Sequence, residues 1–217
     1  MSRPKKETKK TFRVFCEGDT EYNYIEEFRK QKRIAISIKP VNMHGGGYRN
    51  FLDTLKTDST VNCLAKFIII DGDKAVTDET EKQNLKELLR YCILQNKSNR
   101  IPHFLIINSP DFEYVACLHT SKYRNQNVSQ YIVKELGYKS LEDFKADEKV
   151  YNVLNTKGNS SDLMCSKLEN MNKLIINIYS VKKSLYEIKV SETLCNCDNL
   201  GHKGSNINEF FEVVNKF

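Results

Sequence analysis

Short apolar runs alternate with segments of helical periodicity along the first half of this chain. Residues 11–16 alternate apolar and polar side chains and are rich in β-favouring types, whereas residues 67–70 and 104–107 are apolar throughout. A continuous apolar run of this length is typical of a parallel strand covered on both faces. The isoleucines of residues 34–38 alternate with small residues and predict one further strand, which we expect to end at Pro40.

Helical segments separate these predicted strands. Residues 19–33 have acids early and bases late, which matches the helix dipole, and residues 79–95 place leucines on one helical face. A short helix is expected at residues 50–56, and Ser109 followed by Pro110 predicts a helix start. Strands that alternate with helices indicate βαβ units, so the pattern predicts an α/β fold with a mostly parallel sheet flanked by helices.

The second half of the chain is mainly helical in pattern, with a last helix from about residue 206. An amphipathic helical stripe is predicted at Met164, Leu168, Met171, Ile175 and Ile178. We expect a single domain over residues 11–217, with an α/β core at about 11–120 and a mainly helical elaboration at about 121–217. Residues 1–10 form a predicted flexible basic arm, which suits either contact with a phosphate backbone or a solvated tail.

Acidic side chains stand at or just past the ends of three predicted strands. Glu17 follows the first strand, Asp71 and Asp73 follow the run at 67–70, and Glu113 follows the next strand along the chain. The carboxyl ends of neighbouring parallel strands open into one crevice, so we expect these acids to converge. Gathered acids repel one another unless a cation or proton sits between them, and hard oxygen ligands suit Mg²⁺ or Mn²⁺. The pattern predicts a metal-dependent enzyme that performs phosphoryl chemistry.

Each acid has a role in this hypothesis and a plainer alternative. Asp71 and Asp73 would hold one or two Mg²⁺ ions, and Glu17 would complete the coordination sphere or act as a general acid/base. Helix capping accounts for a lone Glu17, and an Asx turn accounts for one aspartate better than for two. Metal or substrate contact and stabilisation by a helix dipole account equally well for Glu113.

Two further side chains are auxiliary candidates. Lys74, beside the aspartate pair, would stabilise charge in the transition state or would be an ordinary surface lysine. His119 would reach a phosphate group, or it would be a half-buried histidine with its hydrogen bonds satisfied. The second interpretation of His119 is preferred.

The cysteines and the net charge indicate the cellular compartment and the kind of partner to expect. The seven cysteines are odd in number and lie mostly in apolar segments, which predicts buried, reduced thiols. Cys195, Cys197 and His202 offer three ligands where structural zinc normally takes four, so an ordinary reduced loop is preferred to a zinc site. A net charge of +6 permits binding to a polyanion. Without a membrane span or the apolar stretch of a signal peptide, the expected location is the cytoplasm.

At these residues the chain resembles the RloB-like family of bacterial defence proteins, which are counted among Toprim-fold proteins. Residues 15–24 are similar to a family opening of the form apolar-C-E-G-x-x-T-E-x-x-Y, although Thr20 and Tyr24 each fall one place early. The similarity continues through residues 70–73 at a D-x-D segment and reaches residues 108–119 at a segment of the form S-N-P-x-F-E with a later L-H. Residues 204–207 resemble the closing S/T-N-apolar segment of the family.

Two departures lie near Glu113: the order Asn108-Ser109 is reversed relative to the family, and Tyr114 stands where a Trp is usual. Neither departure removes a carboxylate. The surroundings of Glu113 are therefore expected to differ from those in the family, and the catalytic acids are expected to be the same.

The resemblance implies a Toprim-like core in which Glu17, Asp71 and Asp73 bind Mg²⁺, and Glu113 and Glu21 carry over by position. It also implies an antiphage role of the abortive-infection type, and a companion ATPase is a partner of many defence nucleases. The leading hypothesis is a cytoplasmic Mg²⁺-dependent endonuclease that cleaves RNA, with transfer RNA as one candidate, or DNA. The alternative is a non-catalytic Toprim-like module that binds nucleic acid or a partner protein. The intact acidic segments favour the enzyme.

Overall fold

The computed structural model describes residues 10–32, 34, 36–60, 62–98, 100–196 and 201–217. The strands of this part of the chain are β1 (Thr11–Cys16), β2 (Ser37–Asn42), β3 (Cys63–Asp71), β4 (His103–Ser109), β5 (Ile175–Lys182), β6 (Glu187–Cys195) and β7 (Gly204–Ser205). The helices are α1 (Asp19–Gln31), α2 (Gly47–Thr57), α3 (Asp73–Thr77), α4 (Glu79–Lys97), α5 (Phe112–Cys117), α6 (Val128–Glu135), α7 (Leu141–Ala146), α8 (Val150–Leu154), α9 (Ser161–Glu169) and α10 (Asn208–Val214), with a 3-10 turn at Lys183–Leu185.

Five strands form one sheet in the order β2-β1-β3-β4-β7. Strands β1 to β4 run parallel, and the two-residue strand β7 pairs antiparallel with β4. This arrangement confirms the predicted α/β fold with a mostly parallel sheet flanked by helices. The helical C-terminal part is confirmed as well, since α6 to α10 all follow residue 120.

Apolar layers cover both faces of the sheet. Phe12 and Phe67 point to the layer that contains α1, α5 and α10, whereas Phe15 and Ile68 point to the layer that contains α2 and α4. Successive side chains of a strand face opposite sides, so a strand between two apolar layers must be apolar at every position. This is why the central strands β3 and β4 are apolar runs.

Two predicted boundaries at the sheet are wrong. Strand β2 continues through Pro40 to Asn42, which an edge strand tolerates because its outer side needs no hydrogen-bond donor.

The second wrong boundary is the helix start predicted at Ser109, which ends β4 and does not cap a helix. The peptide bond between Ser109 and Pro110 is cis, and Asp111 caps α5 by accepting a hydrogen bond from the Tyr114 N–H at 2.8 Å.

The long amphipathic helix predicted through residues 164–178 is also wrong in its second half. Helix α9 buries Met164 and Leu168 and ends at Glu169, and Ile175 then opens the antiparallel hairpin of β5 and β6. β-branched residues favour the extended backbone, and alternate residues of β5 are buried against the rest of the fold. The helical spacing of apolar residues therefore continues past the end of α9 into β5 by coincidence.

The predicted division at residue 120 stays a prediction, but the C-terminal segment is part of the sheet. Strand β7 joins the edge of β4, and Phe210 and Val214 of α10 are buried in the main core. Residues 1–9 of the predicted basic arm lie outside the described residues. Within the described ranges, no helix combines the length and apolar character needed to span a bilayer.

Candidate functional site

The carboxyl ends of β1, β3 and β4 bring acidic side chains together. Glu17 follows β1 directly, Asp71 is the last residue of β3, and Glu113 lies in the first turn of α5, just past β4. The Glu17 carboxylate oxygen Oε2 accepts a hydrogen bond from the backbone N–H of Asp71 at 2.9 Å. Acids from different strand ends thus meet at one edge of the sheet.

Glu17 is held by two donors. Besides its bond to the Asp71 backbone, its second oxygen lies 2.6 Å from the Lys74 ammonium. Lys74 belongs to α3, and its side chain keeps 40% of its surface exposed. The pair therefore places a solvent-accessible cation directly beside a buried carboxylate.

Glu21, in the first turn of α1, faces the same crevice. It is buried, and one of its oxygens accepts a weak hydrogen bond from the Gly18 N–H at 3.3 Å. Burial, together with repulsion from Glu113 and Glu17, raises the pKa of Glu21 to about 7. The resemblance to a known family pointed to Glu21, and the structure places it among the acids.

Asp71 lies at the centre of the acids. Burial comes first in raising the pKa of the Asp71 carboxyl well above its usual value, and the charges of Glu21, Glu113, Glu17 and Asp111 add to that rise. Its Oδ1 atom is 3.4 Å from the Asn108 side-chain amide, and its backbone carbonyl accepts a hydrogen bond from the Tyr48 hydroxyl at 2.7 Å. These contacts hold both the side chain and the backbone of Asp71, and its side chain remains partly accessible.

Glu113 is buried beside a lysine from the C-terminal part of the chain. Its Oε1 atom lies 3.4 Å from the ammonium of Lys145, a half-exposed residue of α7. Burial raises the pKa of Glu113, the Lys145 charge lowers it, and the Asp111 charge raises it again. Sequence reasoning missed Lys145, because nothing in the pattern around α7 indicates that this helix reaches the strand ends.

Asp73 is placed differently from Asp71. The chain turns at Gly72 and enters α3, so Asp73 is exposed and its Oδ1 atom accepts a hydrogen bond from the Lys74 backbone N–H at 2.7 Å. The expectation that residues two apart share one side holds only while the strand continues. Asp73 therefore lies at the rim of the acidic crevice, near enough to raise the pKa of Asp111.

His119 lies in the core and not at the site. Helix α5 ends at Cys117, and the His119 ring is fully buried with its Nε2 atom 2.8 Å from the Tyr24 hydroxyl. Burial lowers the pKa of His119 to about 4, so the ring is neutral near pH 7. This placement matches the interpretation of a histidine with satisfied hydrogen bonds, although the ring is more deeply buried than predicted.

The donor chemistry of the crevice fits a hard divalent cation, whereas its present arrangement is not that of a closed metal site. Glu17, Glu21, Asp71 and Glu113 supply oxygen ligands of the kind that Mg²⁺ prefers. Burial first, and then repulsion from neighbouring acids, raises the pKa values of the last three, so their ionised forms are disfavoured without a cation. Across the described ranges, no three His, Cys, Asp or Glu side chains are gathered as ligands around one point.

The cysteine cluster near the C-terminus differs from the sequence-based expectation. Cys195 is disulfide-bonded, so it is neither the reduced thiol that was expected nor a thiolate available to zinc. Cys197 lies outside the described residues. The buried cysteines of the core, Cys16, Cys63, Cys92 and Cys117, are free as predicted.

Fold and site together define an α/β protein with an open, mostly parallel sheet whose carboxyl edge carries a group of crowded carboxylates. The model of the RloB-like protein family matches residues 12–200, which is most of the chain. The chain therefore belongs to the RloB-like family. No curated protein and no solved structure gives a significant match.

Proposed function

We propose that this protein is a Mg²⁺-dependent endonuclease with a Toprim-like core, which cleaves RNA, with transfer RNA as one candidate, or DNA. We further propose that it acts in the cytoplasm in antiphage defence of the abortive-infection type. The observation that carries the proposal is the meeting of Glu17, Glu21, Asp71 and Glu113 at the ends of three adjacent strands. Uncompensated carboxylates are unfavourable in a folded protein, and a divalent cation would remove their repulsion.

The residues divide into ligands and supports. Asp71, Glu21 and Glu113 would hold the metal, which when bound neutralises phosphate charge and lowers the pKa of an attacking water. Glu17 accepts the Asp71 N–H and so fixes the main chain that carries the central carboxylate. Lys74 and Lys145 are exposed enough to contact the phosphate oxygens of a substrate.

One observation favours a second candidate function, a non-catalytic Toprim-like module that binds nucleic acid or regulates a partner such as a companion ATPase. Lys74 and Lys145 already pair with Glu17 and Glu113, so part of the negative charge is compensated without a metal. In such a module the acids and lysines would be a polar recognition surface.

Incubation of the purified protein with labelled transfer RNA, single-stranded DNA and duplex DNA, with Mg²⁺ or with EDTA, separates the two functions. The enzyme predicts cleavage that EDTA stops and that Asp71→Asn abolishes. Asp53→Asn is the matched control, because Asp53 is exposed on α2 and pairs only with Arg49 in the described structure. Metal-independent binding of nucleic acid without cleavage by the wild-type protein would establish the module instead.

A further inference from the structure

Three polar residues lie side by side across three strands at the edge of the acidic crevice. In the register of the sheet, Asp71 of β3 is paired with Asn108 of β4, and Asn108 is paired with Ser205 of β7. Asn108 and Ser205 are almost completely buried, whereas the Asp71 side chain is partly accessible. Polar side chains buried this deeply are nearly always hydrogen-bonded, so the bonds along this row of residues indicate what it does.

The hydrogen bonds along the row have a fixed direction. The Ile207 backbone N–H donates to Ser205 Oγ at 3.0 Å, and the Ser205 hydroxyl in turn donates to Asn108 Oδ1 at 2.8 Å. Because Oδ1 accepts there, the amide nitrogen of Asn108 faces Asp71 and donates to its Oδ1 atom at 3.4 Å. Turning the amide over would set two oxygen atoms against each other at the Asp71 carboxylate. The row therefore presents a donor to Asp71.

The donor from Asn108 engages one oxygen of the Asp71 carboxylate. Within the described ranges, Oδ1 is the Asp71 carboxylate oxygen that accepts a hydrogen bond, and Oδ2 accepts none. A carboxylate turns easily about its terminal bond, so a fixed donor at one oxygen defines the direction of the other. Carboxylates that bind metal ions are commonly oriented in this way, by a hydrogen bond from a residue that is not itself a ligand.

A separate pair of hydrogen bonds attaches β7 and the residues after it to the sheet. The Asn206 side chain accepts from the Ile107 N–H at 3.0 Å and donates to the Leu105 carbonyl at 2.9 Å. Neither bond involves the side chain of Asn108 or of Ser205. The attachment of the strand and the direction of the Ser205 hydroxyl therefore depend on different residues, and substitutions can separate the two.

We propose that Ser205 and Asn108 are positioning residues, which hold the Asp71 carboxylate in the direction from which it binds a divalent cation. Ser205 acts through Asn108, because its hydroxyl bonds the amide and not the carboxylate. The inference rests on the proposed function only in taking Asp71 as a metal ligand, and not on the cleavage of nucleic acid. It gives β7, which lies far along the chain, a defined contribution to the acidic crevice.

Isothermal titration calorimetry of the full-length protein with Mn²⁺, after treatment with EDTA and dialysis, tests the proposal without any assay of activity. Ser205→Ala should raise the Kd for Mn²⁺ about tenfold, because loss of a residue that orients a metal ligand typically weakens affinity by about 10–100-fold. Asn108→Leu, which keeps the size of the side chain but loses the donor, should raise the Kd at least as much. In the double variant Ser205→Ala should add nothing further, because its effect passes through Asn108.

Asn206→Ala is the matched control, because it weakens the attachment of β7 and removes no hydrogen bond of the row. It should leave the Kd for Mn²⁺ close to that of the wild type, with circular dichroism confirming that each variant is folded. If Asn108→Leu fails to fold, the comparison of Ser205→Ala with Asn206→Ala decides. No Mn²⁺ binding by the wild type, an unchanged Kd in Ser205→Ala, or equal increases for Ser205→Ala and Asn206→Ala would overturn the proposal.

This inference and the proposed nuclease activity can fail separately. If Mn²⁺ binding depends on Ser205 but the wild-type protein cleaves no nucleic acid, the nuclease is refuted and the positioning role stands. If the wild type shows cleavage that EDTA stops, but Ser205→Ala has the same Kd for Mn²⁺ as the wild type, the nuclease stands and the positioning role is refuted.

Discussion

Asp71 ends a buried strand and carries its carboxylate among the charges of Glu21, Glu113 and Glu17. A carboxylate in such surroundings lowers the stability of the folded state near pH 7, because ionisation there is less favourable than in the unfolded chain. A cost of this kind is common where a residue serves binding or catalysis and not folding. The stability of variants can therefore test the site without any assay of activity.

Asp71→Asn should raise the free energy of unfolding of the metal-free protein near pH 7, because the amide cannot ionise and so avoids the charge that burial and the neighbouring acids disfavour. Urea denaturation in EDTA measures this change, and Asp53→Asn should leave stability nearly unaltered. Mg²⁺ should stabilise the wild-type protein more than Asp71→Asn. A loss of stability in Asp71→Asn, together with no response of the wild type to Mg²⁺, would argue against the crowded-carboxylate site.

Lys145 is the residue through which the C-terminal part of the chain reaches the acids. If it contacts substrate phosphate, Lys145→Ala should weaken nucleic-acid binding and reduce the slope of log K against log salt concentration by about 1. Fluorescence anisotropy in the Asp71→Asn background measures this without cleavage. Lys149→Ala, at an exposed lysine close to α7, is the control, and identical salt slopes for the two variants would remove Lys145 from the interface.

At the scale of elements, one buried network ties the C-terminal segment and the β5–β6 hairpin to β4. The Asn206 side chain accepts from the Ile107 N–H at 3.0 Å and donates to the Leu105 carbonyl at 2.9 Å. Asn177 of β5 donates to both oxygens of Glu209, which also accepts from Asn206. These polar contacts add to the apolar burial of Phe210 and Val214 in holding β7 and α10 to the sheet.

Asn206→Ala should lower the free energy of unfolding by about 1–3 kcal/mol, because it removes the side-chain acceptor of the buried Ile107 N–H and one of the two side-chain donors to the Leu105 carbonyl. Thermal or urea denaturation measures the loss. Asn170→Ala is the comparison, since the Asn170 side chain is exposed and bonds only the Ser166 carbonyl in the described structure. Equal effects of the two substitutions would show that the network contributes little to stability.

For the whole molecule, the raised carboxyl pKa values predict an unusual response to pH. Asp71, Glu21, Glu113 and Glu209 all have pKa values above their usual range, to about 7 for Glu21 and Glu209, chiefly because of burial. Between the ordinary carboxyl pKa, about 4, and these raised values, these four carboxyls bind more protons in the folded state than in the unfolded state. The contribution of these four carboxyls to stability therefore falls as the pH rises from the ordinary carboxyl range, about 4, towards 7, whereas buried His119, whose pKa is lowered to about 4, contributes in the opposite direction.

Denaturation in EDTA at a series of pH values should isolate the carboxyl contribution as a difference between variants: the stability of Asp71→Asn relative to the wild-type protein should increase as the pH rises towards 7. Saturating Mg²⁺ should reduce this difference, because the cation would stabilise the ionised acids of the wild-type crevice. A stability difference between Asp71→Asn and the metal-free wild type that stays constant from about pH 4.5 to pH 7 would contradict the picture of crowded carboxylates.

Much of the fold was predictable from local pattern. The apolar runs of β3 and β4 and the alternation of β1 indicated a parallel sheet, because a strand covered on both faces has few alternatives to apolar residues. The acids after these strands were predictable for a related reason, since parallel strands end at a common edge. The helix predicted through Ile175 was wrong because helical spacing alone does not detect a turn after Glu169.

The sequence by itself determined the layered α/β architecture and the edge of the sheet at which the acids gather. Tertiary structure alone decided which side chains face one another there: α1 turns Glu21 inward, the turn at Gly72 sends Asp73 to the rim, and α7 brings Lys145 to Glu113. The physical reason is that a sequence pattern is local, whereas a site is assembled from residues far apart in the chain. Periodicity reports burial within a single element, whereas contacts between side chains distant in the chain depend on how separate elements pack.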